Sequence, residues 1–350
     1  MIPRVEIRAE MVVTDEDFLR LLTDVAVLSR AQLAALDVAV RTRLGAGATP
    51  PPPPSLPTVE PAVEAAKPAD GCASIADIEA RFAAGPCCPH CQSDDIVRWG
   101  SANRLRRYRC KACEVTFNAL TQTPLAQLHK RELWIGNAQA LVDGISLRKV
   151  AARLDIHVET AFRWRHRFLT EPKTLKPRAL EGTVEADETY FLYSEKGSRK
   201  LVRPARKRGG KAKKRGLSAE QVPVLIARDR NAATTDQILE DRTTQSIAAV
   251  LGPIVAKSAV LVSDGAGAYR AFAGQAGIPH VALNLSAGEH TWGIYHIQNV
   301  NNYCSRLKGW MRRFNGVATK YLDSYLGWHR ADDREGHTQN ASLMLAAAWG

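Results

Sequence analysis

The sequence lacks any apolar run long enough to cross a bilayer. Its best stretch, Ala248 to Val262, is interrupted by Pro253 and Lys257, short of the roughly 18 apolar residues a spanning helix needs. A secretory leader is not expected either. MIPRVEIRAEMVVTDED puts acids where the apolar core of a signal peptide would lie, so the expected location is the cytoplasm. With 45% hydrophobic residues, the composition excludes a collagen, a coiled coil and a wholly disordered chain. Acids are in deficit, 36 against 48 Lys+Arg, which leaves a formal charge of +12 over 350 residues. At roughly 150 residues per domain, that length predicts two or three domains.

The positive charge is unevenly placed. Residues 1–86 hold 8 Lys+Arg against 12 Asp+Glu, net −4, and the rest hold 40 against 24, net +16. Such a field favours a polyanion, and nucleic acid is the commonest in a cell. From charge alone, a solvated basic surface reads the same way. Thr14 and Ser29 can cap two helices that end at Gly45, which makes residues 1–47 a helical N-terminal segment of no readable function. Six prolines between Thr49 and Thr58 bar helix and central strand, so residues 48–72 read as a stiff linker.

Cysteine is scarce but patterned. Cys88 and Cys91 form one CxxC, and Cys110 and Cys113 a second. Two such pairs can present four thiolates to one tetrahedral Zn²⁺, with a hairpin between them. Cys87 leaves the register open, and His90 is a rival ligand. Cys72 and Cys304 read as small hydrophobes. Residues 73–120 are therefore expected to be a zinc ribbon. Arg98, Trp99, Arg104, Arg106, Arg107, Tyr108, Arg109 and Lys111 on it suit phosphate contact and base stacking, although a purely structural module would also need a polar surface.

Residues 121–175 read as helices. A helix ending at Gly144 is followed by one starting at Ser146, a tight DIH turn and a basic third helix, with Ala151 and Ile156 at the close-packed positions. This is the arrangement of a helix-turn-helix. Glu159, Arg163 and Arg167, spaced by four, form a stripe that can enter a major groove, while Ala161, Trp164, Phe168 and Leu169 face a core.

From Thr183 strands alternate with helices, the rhythm of a mixed α/β layer fold. Asp187 and Asp264 lie at the ends of apolar strands, where neighbouring strands can bring side chains to one point. Taken singly, an Asp before Gly265 is as readily a turn former. Residues 297–314 read as a helix on which Asn301, Ser305, Lys308 and Arg312 share one narrow stripe, opposite Val300, Leu307, Trp310, Met311 and Phe314. An oxygen ligand followed by two cations suits a phosphodiester. Glu185 reads as a strand-end surface acid or as a carboxylate supporting Asp187. Lys196 to Arg215 carries eleven Lys/Arg and no acid, which suits a basic loop, 195–216, that engages DNA.

These strings together resemble a bacterial insertion-sequence transposase of the ISXO-like zinc-ribbon group. They are CPHC and CKAC, VEADETYF around Asp187, VSDGAGAY around Asp264, and HIQNVNNYCSRLKGWMRRF around Asn301. The 36 residues between Asp264 and Asn301 fit the family's D-about-35-E spacing, and Lys308 stands where it places a DNA-binding base. The resemblance implies a ribonuclease-H-like catalytic domain over residues 180–335, with 336–350 as a tail. It further implies catalysis by Asp187, Asp264 and Asn301 with Mg²⁺ or Mn²⁺, and cleavage and joining of double-stranded DNA at element ends and target, by a homo-oligomer at the bacterial nucleoid. Lys308, Arg312, Arg163, Arg167, Arg106 and Arg107 are the expected DNA contacts. Many relatives have Glu where this chain has Asn301, whose carbonyl can ligate a metal but brings no charge. Asn302 is a rival ligand. An inactive or domesticated DNA-binding relative and a purely hydrolytic nuclease remain alternatives.

Overall fold

A computed structural model describes residues 74–201, 220–336 and 340–349, with isolated positions at 204, 210, 212, 213 and 218. The expectations for residues 1–47 and 48–72, and for half of the basic loop, fall outside them. Among the described residues no helix is long and apolar enough to cross a membrane.

Helix α1 (Ile75–Ala84) starts on Ser74, whose hydroxyl accepts the Asp77 N–H. It leads into a three-stranded antiparallel sheet of β1 (Ile96–Ala102), β2 (Leu105–Cys110) and β3 (Thr116–Phe117). Asn103 and Arg104, both at positive φ, make the expected hairpin turn. Tyr108 is not a surface ring. It stacks on Phe117 at 5.8 Å and packs against Phe82, so it belongs to the small core of this module.

The helix-turn-helix is formed by α2 (Trp134–Val142), α3 (Leu147–Leu154) and α4 (Val158–Phe168). Asp155 takes a left-handed conformation to end α3, and the His157 Nδ1 accepts the Glu159 N–H to start α4. Val150, Ala151 and Ala161 are buried together, with Ile156 against them. A one-turn helix α5 (Thr170–Thr174) follows.

The third region is built on a five-stranded mixed sheet in the order β6-β5-β4-β7-β8. Its strands are β4 (Thr183–Leu192), β5 (Gln221–Asp229), β6 (Thr234–Ile238), β7 (Val260–Ser263) and β8 (His280–Ala282). The first three are antiparallel, and β7 and β8 run parallel to β4. This is the ribonuclease-H-like arrangement. Side chains alternate between two cores: Val184, Ala186, Leu225, Ala227 and Leu261 meet α6 (Thr244–Leu251) and α7 (Gly267–Ala276). Val224, Ile226 and Val262 meet α8 (Gln298–Met311) and α9 (Leu322–Glu335) on the other face.

That second core runs without a break from Ile78 through Trp134 and Phe168 to Trp328, so ribbon, helix-turn-helix and sheet share one apolar interior. Gly327 makes the joint possible, since a Cβ there would lie 2.5 Å from the Lys173 Cα. Buried Arg330 reinforces it, pairing with Asp236 and donating to the carbonyls of Lys173 (2.8 Å) and Leu175 (3.2 Å). The residues expected as a tail instead form α10 (Ala341–Trp349), apolar all round and packed on α2, α4 and α5, as a helix without a polar face must be. Its Trp349 Nε1 donates to the Ala119 carbonyl at 2.8 Å.

Candidate active site and metal centre

The pairing of β4 with β7 sets Glu185 opposite Val262. Asp187 lies in the middle of β4, paired with Ile226 of β5, rather than at a strand end, and Asp264 directly follows β7. The Asp187 carboxyl is the perturbed one. Burial pushes the Asp187 carboxyl up to about 6, the nearby Asp264 and Glu188 charges add to the rise, and the Glu188 N–H and Lys308 oppose it. Asp264 also serves as the turn former that its sequence suggested, accepting the Ala266 N–H at 3.1 Å.

Helix α8 lies along β4 and β5. Asn301, Ser305, Lys308 and Arg312 are all exposed, while Val300, Leu307 and Met311 are buried, so the expected stripe is present. Cys304, between Asn301 and Lys308, marks where α8 meets Asp187. Its thiol is raised to about 12 by burial and by the Asp187 charge. Asn302 points elsewhere, accepting from Arg306 Nε at 2.8 Å.

Glu185 is fully buried rather than a surface acid. It accepts the N–H of Asn299 (2.8 Å), the Asn299 side-chain amide (2.8 Å) and the N–H of Val300 (3.0 Å), and so satisfies the open N-terminus of α8. Arg230 at 3.2 Å balances its charge. This carboxylate therefore holds the helix of Asn301 to the strand of Asp187. Glu185→Ala should cost about 3 kcal/mol, because buried N–H groups lose their acceptor. Urea denaturation checks this, and a loss below about 1 kcal/mol, the size of one ordinary hydrogen bond, would remove Glu185 from that role.

The four cysteines converge. The sulfurs of Cys88, Cys91, Cys110 and Cys113 all lie within 4.8 Å of one another, with 3.6 Å from Cys88 to Cys113 and 3.5 Å from Cys91 to Cys110. A tetrahedral ion with bonds near 2.3 Å would set sulfurs about 3.8 Å apart, so the residues fit one Zn²⁺. The Cys113 N–H draws the Cys110 thiol down to about 7, while Cys91, although the Ser93 N–H draws it down, is pushed up to about 12 by its hydrogen bond to Cys110 and by burial. Cys87 stands outside the group, and the His90 Nδ1 is instead paired with Gln122 Nε2 at 3.2 Å.

The expected DNA contacts divide. Arg163, Arg106, Lys308 and Arg312 are exposed. Arg107 donates to the Thr116 hydroxyl at 2.9 Å, and Arg167 donates to the carbonyls of Pro124 (2.5 Å) and Ala126 (2.7 Å). Arg167 thus holds the chain entering the helix-turn-helix, which leaves Arg163, exposed and 3.9 Å from Glu159, as the outward cation of the α4 stripe. Lys196, at the start of the basic loop, donates to the carbonyls of Phe314, Asn315 and Gly316.

Residues 179–328 match the ISXO2-like transposase domain, and residues 130–171 match a homeodomain-like domain. This chain carries an ISXO2-like transposase domain. It is also 29% identical over 250 residues, 70% of its length and 84% of the relative's, to a protein described as uncharacterized in transposable element ISH50 of Halobacterium salinarum. Among solved structures it is similar to a pre-cleavage Mos1 transpososome (TM-score 0.24, 10% identity, 61% of this chain and 74% of that one). A Mos1 transposase paired-end complex with left transposon end follows (TM-score 0.20, 12% identity, 61% and 78%). Scores this low say nothing of the site's geometry. The transposase domain includes β4 to β8 and α8, and so contains Asp187, Asp264, Asn301, Lys308 and Glu185. The homeodomain-like match covers α2 to α4.

Proposed function

We propose that this transposase binds the ends of an insertion element and catalyses metal-dependent strand cleavage followed by strand transfer. The observation that carries the reading is the nearness of Asp187, on the central strand β4, to Asp264, just past the adjoining β7, beside a helix that presents Asn301 and Lys308. A carboxyl held up by burial and by a second nearby carboxylate suits a divalent cation beside it. Asp187, Asp264 and the Asn301 carbonyl would hold Mg²⁺ or Mn²⁺. When bound, such ions polarise the scissile phosphate and stabilise the charge that develops on attacking and leaving oxygens. Lys308 and Arg312 neutralise the strand beyond the site, and Glu185 keeps α8 in place. The exposed first turn of α4 with Arg163 meets the groove of the element end, and Arg106 on the ribbon meets phosphate. The partner is double-stranded DNA, and joining two ends requires at least two copies.

The test is labelled duplex carrying the DNA that flanks the gene, incubated with the protein and Mn²⁺. Strand-specific nicks and joined products are expected. Asn301→Ala should lose joining and keep binding, and binding without nicks by the unaltered protein would overturn the proposal. At limiting metal, nicking should be flat at neutral pH and fall about tenfold per pH unit below about 6, as a proton on Asp187 competes with the ion. More metal should move the fall to lower pH.

A further inference from the structure

Two of the largest exposed apolar side chains stand on one small hairpin. Strands β9 (Thr291–Trp292) and β10 (Tyr295–His296) pair antiparallel, with Gly293 at φ 58 in the turn. Trp292 is 58% exposed and Ile294 74% exposed. Trp292 stacks on Tyr295 at 6.0 Å and 27°, which braces the indole.

This hairpin is tied to the candidate active site from both sides. Arg230 donates to the Ile294 carbonyl and to the His296 Nε2, each at 3.1 Å, and its Nε pairs with Glu185. Glu185 in turn holds the N-terminus of α8, three bonds that begin two residues before Asn301. Strand β10 packs against β7, and Asp264 directly follows β7. The tip is therefore an apolar surface fixed beside residues suited to a phosphodiester.

We propose that Trp292 and Ile294 bind a nucleobase of the processed strand as it leaves the duplex stack, with Trp292 stacking on the base and Ile294 filling its vacated side. The inference rests on the DNA-processing reading above and adds a base-binding element to it. Two side chains are far below the roughly 800 Å² per partner of a stable protein interface, yet they match the face of a single base. Base–aromatic stacking tolerates any sequence.

The experiment uses the full chain and the flanking-DNA duplex with 2-aminopurine placed in turn at each position around the nick. Fluorescence is read without divalent metal, so it reports base unstacking whether or not cutting occurs, and nicking in Mn²⁺ reports separately on the proposed function. A change confined to one or two positions is expected, lost in Trp292→Ala and retained in Trp292→Phe. Trp292→Ala should slow nicking of the paired duplex by about 5- to 150-fold, the range of one lost stack. A mismatch at the same position should restore much of that rate, which a merely misfolded hairpin would not allow. An absence of any position-specific signal in the unaltered protein would overturn the inference. So would a signal unchanged in both Trp292→Ala and Ile294→Ser, or a loss of self-association in those variants with the base signal intact.

Discussion

Asp187→Asn is expected to abolish strand nicking and joining while making the metal-free protein more stable. The two effects share one cause. Burial and the nearby Asp264 and Glu188 charges raise the Asp187 carboxyl from 3.8 to about 6. Between roughly pH 4 and 6 the folded state keeps a proton that the unfolded chain has released, so stability falls as pH rises through that window. Above about pH 6 the full penalty is present, about 3 kcal/mol at 1.36 kcal/mol per unit. Asn has the same shape without the charge and escapes it. In chelator at pH 7.5 the variant should melt a few degrees above the unaltered protein, and near pH 4 the two should coincide. With Mn²⁺ the order should reverse, because only the carboxylate gains from the ion. Nicking should drop by on the order of 10³-fold or more, as expected when a group organising transition-state charge is lost. Equal melting in chelator, or a variant that still nicks, would defeat the account. The chain would thus carry a local instability that its metal relieves, a pattern found where electrostatics serve a reaction.

Cys110→Ala should remove the bound zinc and unfold the ribbon within an otherwise folded protein. The apolar cluster around the cysteines is Tyr108 and Phe117 with Cys88 and Cys110, edged by Phe82, Ile96 and Cys113, too small to hold the cysteine knuckles without a staple even though Leu105 and Ala119 join the larger core. Structural zinc supplies about 10–16 kcal/mol in such modules, and most of it is folding energy. The unaltered chain should contain one zinc per molecule by elemental analysis, and the variant none. Protease should then cut between residues 86 and 118, while the sheet domain remains intact. DNA affinity should fall and its salt dependence weaken, because Arg106 and its neighbours no longer form one surface. Cys87→Ser should leave zinc and structure unchanged, since Cys87 lies outside the sulfur cluster. A chain that binds no zinc, or a Cys110→Ala protein that resists protease like its parent, would refute the metal centre.

Much of this architecture is written in local patterns. Chelation needs residues close in sequence, so the paired cysteines were legible from spacing alone. The exposed stripe of Asn301 to Arg312 follows from helical geometry, and the turn between α3 and α4 from its residues. Strand β6 was missed because TTDQI has little apolar content and is recognised only by its pairing with β5. Tyr108 looked like a stacking ring, yet the ribbon spends it on its own core.

The amino-acid order alone determined the chemistry available to this protein: four thiolates for one ion, two acids carried by apolar strands, an amide and cations along one helix. Tertiary structure decided which of those groups are free to act. Glu185 became the acceptor for a helix whose N–H groups lie 114 and 115 residues away. Arg167 was drawn to carbonyls 41 and 43 residues back, and the final helix became a wall of the core. The reason is that a buried donor or acceptor must find its partner wherever the fold brings one, and no periodicity along the chain reports a partner that distant.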